Sequence, residues 1–226
     1  MNVVIAGDSP FSWALAAQLK GRIQGRLYFV LSNPERAMEA SLEGAIVAVQ
    51  GDMTDTAVLD QLGLGSCHTF VAGSSEDEAN VLSALYARNK GATFAYACIG
   101  EAKFVPLLES LGITPVQTSD TAAAFAALGI LKPAVSELVG LGQSQFVLDE
   151  IGAREFPELV GCRLGNLQGE HLHIIAVAQD GDTHLSYNTV IGTGAKLIII
   201  YDKAIGRRLH QELRKVADSA AQRGAV

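Results

Sequence analysis

One glycine and two serines follow the first predicted strand, at the spacing at which a dinucleotide site carries three glycines. The strand is residues 2–6, and the turn after it reads Gly7-Asp8-Ser9-Pro10-Phe11-Ser12. In a dinucleotide site the glycines shape the turn, let the backbone approach the pyrophosphate and let the helix pack on the strand. Only Gly7 is present here, and Ser9 and Ser12 occupy the other two positions. The spacing predicts a Rossmann-like frame that binds its usual dinucleotide weakly or not at all.

Other residues capable of chemistry do not form a catalytic or metal-binding set. His171 and His173 alternate along an extended stretch and share one face, but a metal site needs a further converging ligand. The three cysteines are widely spaced, without the C-x-x-C pair typical of zinc or dithiol sites. Asp77-Glu78 has no histidine or nucleophile at a matching position. We therefore expect no catalytic residue and no metal site.

Two polar positions at predicted strand ends leave two interpretations open. Asp52 follows the third strand, where it would either accept hydrogen bonds from a ligand or cap the next helix. Ser74 and Ser75 follow the fourth strand, where they would either bind phosphate at a helix N-terminus or cap that helix.

Composition limits the class of protein. The chain has 226 residues, 49% of them hydrophobic and 18% charged, which favours a substantial folded core. A net charge of −7 and an aromatic content of 6% argue against nucleic acid as a partner. The N-terminus does not resemble a secretory signal, and no apolar run reaches the ~18 residues of a spanning helix. We expect a soluble, cytoplasmic protein.

Strands and helices alternate over the first 120 residues, which predicts a doubly wound parallel sheet. The predicted strands are Asn2–Ala6, Leu27–Leu31, Ile46–Val49, Thr69–Ala72, Phe94–Ala97 and Pro115–Gln117. The predicted helices are Phe11–Lys20, Pro34–Glu43, Thr54–Leu62, Asp77–Lys90 and Ala102–Leu111.

The pattern changes after residue 120. Thr121–Leu131 is apolar on most sides, and with Ala134–Leu141 it predicts a helical connector lying in a subunit interface. From Ser144 onward, strands predominate in a small β-rich domain, and a helix is predicted at Gly206–Ala221. The predicted strands are Gln145–Ile151, Ile174–Gln179, His184–Ser186 and Lys196–Tyr201, with a hairpin signal at Asp180-Gly181. The predicted division is therefore 1–120, 121–143 and 144–226.

The order and spacing of several short motifs resemble the K+-conductance regulator family, which includes the RCK (KTN) domains of K+ channels and TrkA-type subunits of K+ uptake systems. The motifs that carry the resemblance are Val3-Val-Ile-Ala-Gly7, Val49-Gln-Gly-Asp-Met-Thr-Asp55, Ala72-Gly-Ser74, Asp77-Glu-Ala-Asn80, Phe156-Pro-Glu-Leu-Val-Gly161 and Gly194-Ala-Lys-Leu-Ile-Ile-Ile200. The resemblance covers nearly the whole chain. It implies a Rossmann domain, a helical connector and a small α+β ligand-sensing domain similar to RCK-C.

The resemblance also implies a ligand cleft at the carboxyl ends of the parallel strands. The cofactor is unknown, and an adenine nucleotide (ATP, ADP or NAD) would enter a degenerate site. The acid expected after the second strand is replaced by Leu31 or Ser32, and an arginine expected at the fifth strand by Cys98. The candidate ligand-binding residues are Gly7, Asp8, Ser9, Ser32, Gly51, Asp52, Met53, Ala72, Gly73, Ser74 and Asp77.

The function implied by the resemblance is regulation without catalysis. A cytoplasmic subunit or domain, peripheral at the inner face of the membrane, would bind a small ligand and gate an integral membrane K+ channel or transporter by a conformational change of a homodimer or higher ring. Two alternatives remain. One is an NAD(P)-dependent oxidoreductase, and the other is a scaffold protomer whose nucleotide site has decayed.

Overall fold

A computed structural model describes residues 1–139 and 144–223, the last three of these as backbone only. The chain divides into two compact units, Met1–Ala123 and Ala124–Val226. In the described residues, no helix has both the length and the apolar character that crossing a membrane requires.

The first unit contains a six-stranded parallel sheet with helices on both faces. Its strands are β1 (Val3–Ala6), β2 (Leu27–Leu31), β3 (Ile46–Gln50), β4 (Thr69–Ala72), β5 (Phe94–Cys98) and β6 (Thr114–Val116). Its helices are α1 (Pro10–Leu19), α2 (Pro34–Ser41), α3 (Thr56–Asp60), α4 (Asp77–Asn89) and α5 (Val105–Ser110). The strand order β3-β2-β1-β4-β5-β6 confirms the Rossmann-like prediction.

Alternation along the buried central strand explains the two helical layers. All four residues of β1 are buried. Val3 and Ile5 face the cluster that includes α1 and α2, whereas Val4 and Ala6 face the cluster that includes α4 and α5. Because β1 pairs with β2 on one side and β4 on the other, the chain reverses its order of winding between β1 and β4. Such a switch point opens a crevice at the carboxyl edge of the sheet.

The second unit contains a four-stranded antiparallel sheet in the order β7-β10-β8-β9. Its elements are α7 (Pro133–Leu138), β7 (Phe146–Gly152), β8 (Leu172–Gln179), β9 (Asp182–His184), β10 (Lys196–Asp202) and α8 (Leu209–Arg223). Buried residues of β8 and β10 pack against Leu213, Val216 and Ala217 of α8. The small β-rich unit expected from the sequence is thereby confirmed.

The largest boundary errors in this unit are at β9 and at the C-terminal helix. The strand expected at His184–Ser186 lies at Asp182–His184, because Asp180 (φ 57°) and Gly181 (φ 88°) form a two-residue turn and Gln179 pairs directly with Asp182. The C-terminal helix begins at Leu209 rather than Gly206, since residues 203–208 form a tighter 3-10 turn capped by the Asp202 carboxylate.

The predicted connector is helical where it is described. Helix α6 (Thr118–Leu131) spans the boundary between the units, and α7 follows it. Neither helix contains a buried residue. Phe125, Ile130 and Leu131 are 47%, 79% and 77% exposed. The connector therefore presents an apolar surface, and the helix end predicted at Leu141 lies outside the described residues.

Candidate functional site

A cavity of about 270 Å³ lies at the carboxyl edge of the parallel sheet, beside the switch point. Loops after β1, β2, β3 and β4 enclose it, which is where α/β folds of this order bind ligands. The volume falls just below the ~300–1,000 Å³ typical of pockets for drug-sized ligands. Its lining residues are Gly7, Asp8, Val30, Ser32, Gly51, Asp52, Met53, Thr54, Ser74, Ser75, Glu76 and Ala79.

Gly7 lets the β1–α1 turn contact the β4–α4 loop. Its φ of 109° is one that side-chain-bearing residues rarely adopt. A Cβ at this position would lie 2.5 Å from the backbone nitrogen of Ser74. The first glycine of the dinucleotide pattern is thus required here by loop packing.

The two serines that replace the other glycines have structural partners. Ser9 is the N-cap of α1, and its hydroxyl accepts a hydrogen bond from the Ser12 amide. The buried Ser12 hydroxyl donates to the carbonyl oxygen of Gly73 over 2.7 Å. It fills the space that a Gly73 side chain would need, since a Cβ there would lie 2.3 Å from Ser12 Oγ. Ser12 therefore joins the first turn to the loop after β4.

A double-mutant cycle tests this junction. We expect Ser12→Ala to lower the free energy of unfolding by about 1–3 kcal/mol, because the buried Gly73 carbonyl loses its donor. We expect Gly73→Ala to cost about 1–3 kcal/mol through overpacking against the Ser12 hydroxyl. Without that hydroxyl the nearest atom of residue 12 is 3.6 Å away, so the double variant should cost less than the sum. Urea denaturation measures all three costs, and strict additivity would contradict the junction.

Asp8 is held by two residues near the ends of β1 and β2. The Trp13 indole nitrogen donates to its Oδ1 over 2.8 Å, and the Arg36 guanidinium lies 3.3 Å from the same oxygen. The Arg36 guanidinium also stacks 4.8 Å above the centre of the Trp13 ring. These two side chains, neither of which was among the predicted site residues, fix a carboxylate at the edge of the cavity.

Asp52 accepts hydrogen bonds from Thr54 and also lines the cavity. The Thr54 amide and hydroxyl both donate to its Oδ1, over 2.7 and 2.8 Å. These bonds lower the pKa of the Asp52 carboxyl below its usual range, so it carries a negative charge at neutral pH. The N-cap of α3 is Asp55, so the interpretation of Asp52 as the cap of that helix was wrong. Its role as an acceptor for a ligand stays a prediction.

The residues proposed from the sequence separate into two groups. Those that line the cavity together are Gly7, Asp8, Ser32, Gly51, Asp52, Met53 and Ser74. Ala72 is buried in the core, and the Gly73 carbonyl accepts from Ser12. The Asp77 carboxylate accepts from the amides of Gly100 and Glu101, so it orders the loop after β5. The cavity is also lined by Thr54, Glu76 and Ala79, which were not predicted. In the sequence, only their position after predicted strands indicates that they could lie there.

Ser9 lies instead in a neighbouring cavity of about 440 Å³ near the ends of β4 and β5. No charged side chain lines it among the described residues; its lining is Ser9, Pro10, Phe11, Ser74, Ser75, Cys98, Thr118, Ser119 and Ala122. Burial, and secondarily the negative charge of Asp77, raises the pKa of the Cys98 thiol to about 12. This thiol therefore stays protonated, and it does not act as a nucleophile at neutral pH.

The second unit has a cavity of its own, of about 300 Å³, between α7 and the sheet. Glu170, His171, His173 and Asp202 line it with Tyr201 and apolar residues. The His173 ring nitrogen Nδ1 lies 2.7 Å from the Gln168 amide oxygen. Across the described part of the chain, histidines, cysteines and acids do not cluster in a group that could hold a metal ion.

Comparisons with known proteins point to one family. The model of the TrkA-N domain matches residues 3–119. The Trk system potassium uptake protein TrkA homolog of Methanothermobacter thermautotrophicus is 26% identical over 204 residues, which are 88% of this chain and 93% of that protein. The TrkA protein of Haemophilus influenzae is 25% identical over 88% of this chain, but this chain spans only 44% of its length.

A solved structure shares the fold at low sequence identity. The human SLO3 gating ring superposes with a TM-score of 0.62 over 96% of this chain, at 12% identity. The match covers 46% of that chain. This likeness supports the observed succession of a parallel-sheet unit and a small antiparallel unit.

Proposed function

Because this chain belongs to the TrkA-N domain family, we propose that it is a non-enzymatic regulatory subunit or domain of a potassium channel or transporter. The observation that carries the proposal is the similarity to a TrkA homolog over 93% of that protein, including the second unit. The chain would bind a small ligand and change the geometry of a homo-oligomer attached to a membrane protein. It would act in the cytoplasm, at the inner face of the membrane.

The geometry of the first unit supports regulation better than hydride transfer. An oxidoreductase needs a dinucleotide held at the first turn and an acid or base near its reactive end. In this chain serines stand at two of the three glycine positions of that turn, and the adjoining 440 Å³ cavity is lined by hydroxyls, apolar groups and a protonated thiol. The proposal therefore assigns this unit a binding role.

We expect NADH to bind weakly or not at all. The Ser12 amide donates to the Ser9 hydroxyl, and the Ser12 hydroxyl donates to the Gly73 carbonyl oxygen. The turn therefore offers a pyrophosphate fewer free hydrogen-bond donors than a glycine-rich turn does. Titration calorimetry with the purified full chain measures the affinity. Dissociation in the low micromolar range would contradict this expectation and would favour the dinucleotide-dependent alternative.

The membrane partnership is tested by transport. Deleting the gene in its native host should lower uptake of rubidium, a potassium tracer, by at least about twofold, and a tagged copy of the chain should restore it. The tagged chain, solubilised from membranes in mild detergent, should retain an integral membrane potassium-transport protein. Unchanged rubidium uptake in the deletion strain under potassium limitation would contradict the proposed function.

A further inference from the structure

The cavity of about 270 Å³ lined by Asp8, Asp52 and Glu76 has a chemistry that selects among ligands. We propose that it takes an uncharged, hydroxyl-rich ligand of the nucleoside class and excludes the phosphorylated forms. This inference rests on the proposed regulatory function, because it names the ligand class for the same small-ligand site.

The first support is that four amides of the loops around the cavity already have partners within the protein. Besides the Ser12 amide, which donates to Ser9, the Ser74 amide donates to the Asn80 side-chain oxygen over 2.7 Å. The Glu76 amide donates to the Ser74 hydroxyl, and the Thr54 amide to Asp52. Each bond satisfies a loop or helix-start donor that phosphate oxygens would otherwise accept from. A phosphate that used any of these four amides would have to displace an oxygen of the protein itself.

The second support is the charge of the lining. Asp8, Asp52 and Glu76 bring three carboxylates to one cavity, and the described residues that line it include neither lysine nor arginine. Arg36 offsets the charge of Asp8 by pairing with it from outside the lining. Like charges repel each other more strongly at short range and in a partly buried site than they do in open water. The lining therefore opposes a diphosphate.

The third support is that the same groups suit a sugar and a base. A carboxylate accepts hydrogen bonds at about four lone-pair sites, and Asp8 and Asp52 each use part of that capacity within the protein. Ribose hydroxyls and an exocyclic amino group are donors that can meet the remaining sites. Ser32 and Ser75 add hydroxyls that donate or accept. The limited volume favours a ligand smaller than a dinucleotide.

The crevice at the carboxyl edge of the sheet is divided into two cavities, which agrees with a ligand of the size of a nucleoside. The larger cavity on the β4–β5 side has a separate lining and shares only Ser74 and Ser75 with this one. At the switch point the first turn and the loop after β4 meet through the Ser12–Gly73 hydrogen bond and the close approach of Gly7 to Ser74. A nucleoside needs only one side of that junction.

The experiment compares ligands that differ only in phosphate. Adenosine, guanosine, ADP and NAD are titrated into the full chain by calorimetry, with thermal stabilisation as a second readout. We expect at least one nucleoside to bind. ADP should bind at least about tenfold more weakly than adenosine, because the carboxylates of the lining repel its phosphates. Equal or tighter binding of ADP, or no binding of either nucleoside, would overturn the inference.

A charge-removing variant identifies the cause of the selectivity. Asp52→Asn with Glu76→Gln removes two charges but keeps an oxygen that can accept from Thr54 and leaves the Glu76 amide in place. We expect the ratio of ADP to adenosine affinity to rise about tenfold, whereas Asp149→Asn in the second unit should leave it unchanged. An unchanged ratio in the double variant would reject the carboxylates as its cause. If rubidium uptake depends on the chain but no nucleoside binds, the ligand class fails while the regulatory function stands.

Discussion

Phe125→Asp is expected to convert an oligomer of this protein into a species of half its mass or less. Neither α6 nor α7 contains a buried residue, and Phe125, like Ile130 and Leu131, is exposed, to 47%. Exposed apolar patches of this kind mark interaction sites. A homo-oligomer formed through residues 121–139, as we propose, would bury this surface.

The size of the effect follows from symmetry. Burying one Phe side chain contributes about 1.5–3 kcal/mol, and a two-fold interface contains the residue twice. Losing both contributions weakens dimerisation by about 3–6 kcal/mol, or about a hundredfold to ten-thousandfold. The aspartates would also place unpaired charges in an apolar contact.

Light scattering after size-exclusion chromatography, at matched micromolar concentrations, measures the mass. Leu185→Asp is the control, because Leu185 is equally apolar and 71% exposed but lies in the loop after β9. The control should retain the wild-type mass. A monomeric wild type, or a Phe125→Asp variant with undiminished mass, would contradict an interface at α6.

The parallel sheet was predictable because its signals are local. Most strands of the first unit are short runs of apolar residues, and the first three helices begin after a residue whose side chain caps them: Ser9, Asn33 and Asp55. The error at β9 has a local cause as well. A two-residue turn with positive φ at both positions allows pairing to resume at once, and an interpretation that treats Asp182 as part of the turn places the strand too late.

The site was less predictable because its main contacts join residues far apart in the sequence. Ser12 and Gly73 are 61 positions apart, and their hydrogen bond depends on the parallel pairing of β1 with β4. The Asp8–Arg36 contact likewise depends on α2 lying beside the first turn. The sequence indicated that two glycines were missing. Only the fold shows that serine side chains fill two of the glycine positions and form hydrogen bonds there that glycines could not form.

Gly7→Ala is expected to lower the free energy of unfolding of the first unit by about 3–5 kcal/mol, a large part of a typical total of about 5–15 kcal/mol. A backbone φ of 109° costs an alanine about 1–3 kcal/mol, and overpacking adds about 1–3 kcal/mol. The added Cβ would lie 2.5 Å from Ser74 N and 2.9 Å from the Gly73 carbonyl carbon, and backbone atoms cannot rotate away as a side chain can.

Gly44→Ala separates the two causes, because Gly44 also has a positive φ of 63° but a Cβ there meets nothing within 4 Å. This control should cost only about 1–2 kcal/mol, the strain of a left-handed backbone in an L-residue. Urea denaturation of both variants measures the difference. A Gly7→Ala protein that is recovered only in insoluble form, while Gly44→Ala folds, agrees with the expectation. Equal costs at the two glycines would show that the β1–α1 turn and the β4–α4 loop can separate without loss, and the junction at the switch point would then not hold the crevice in shape.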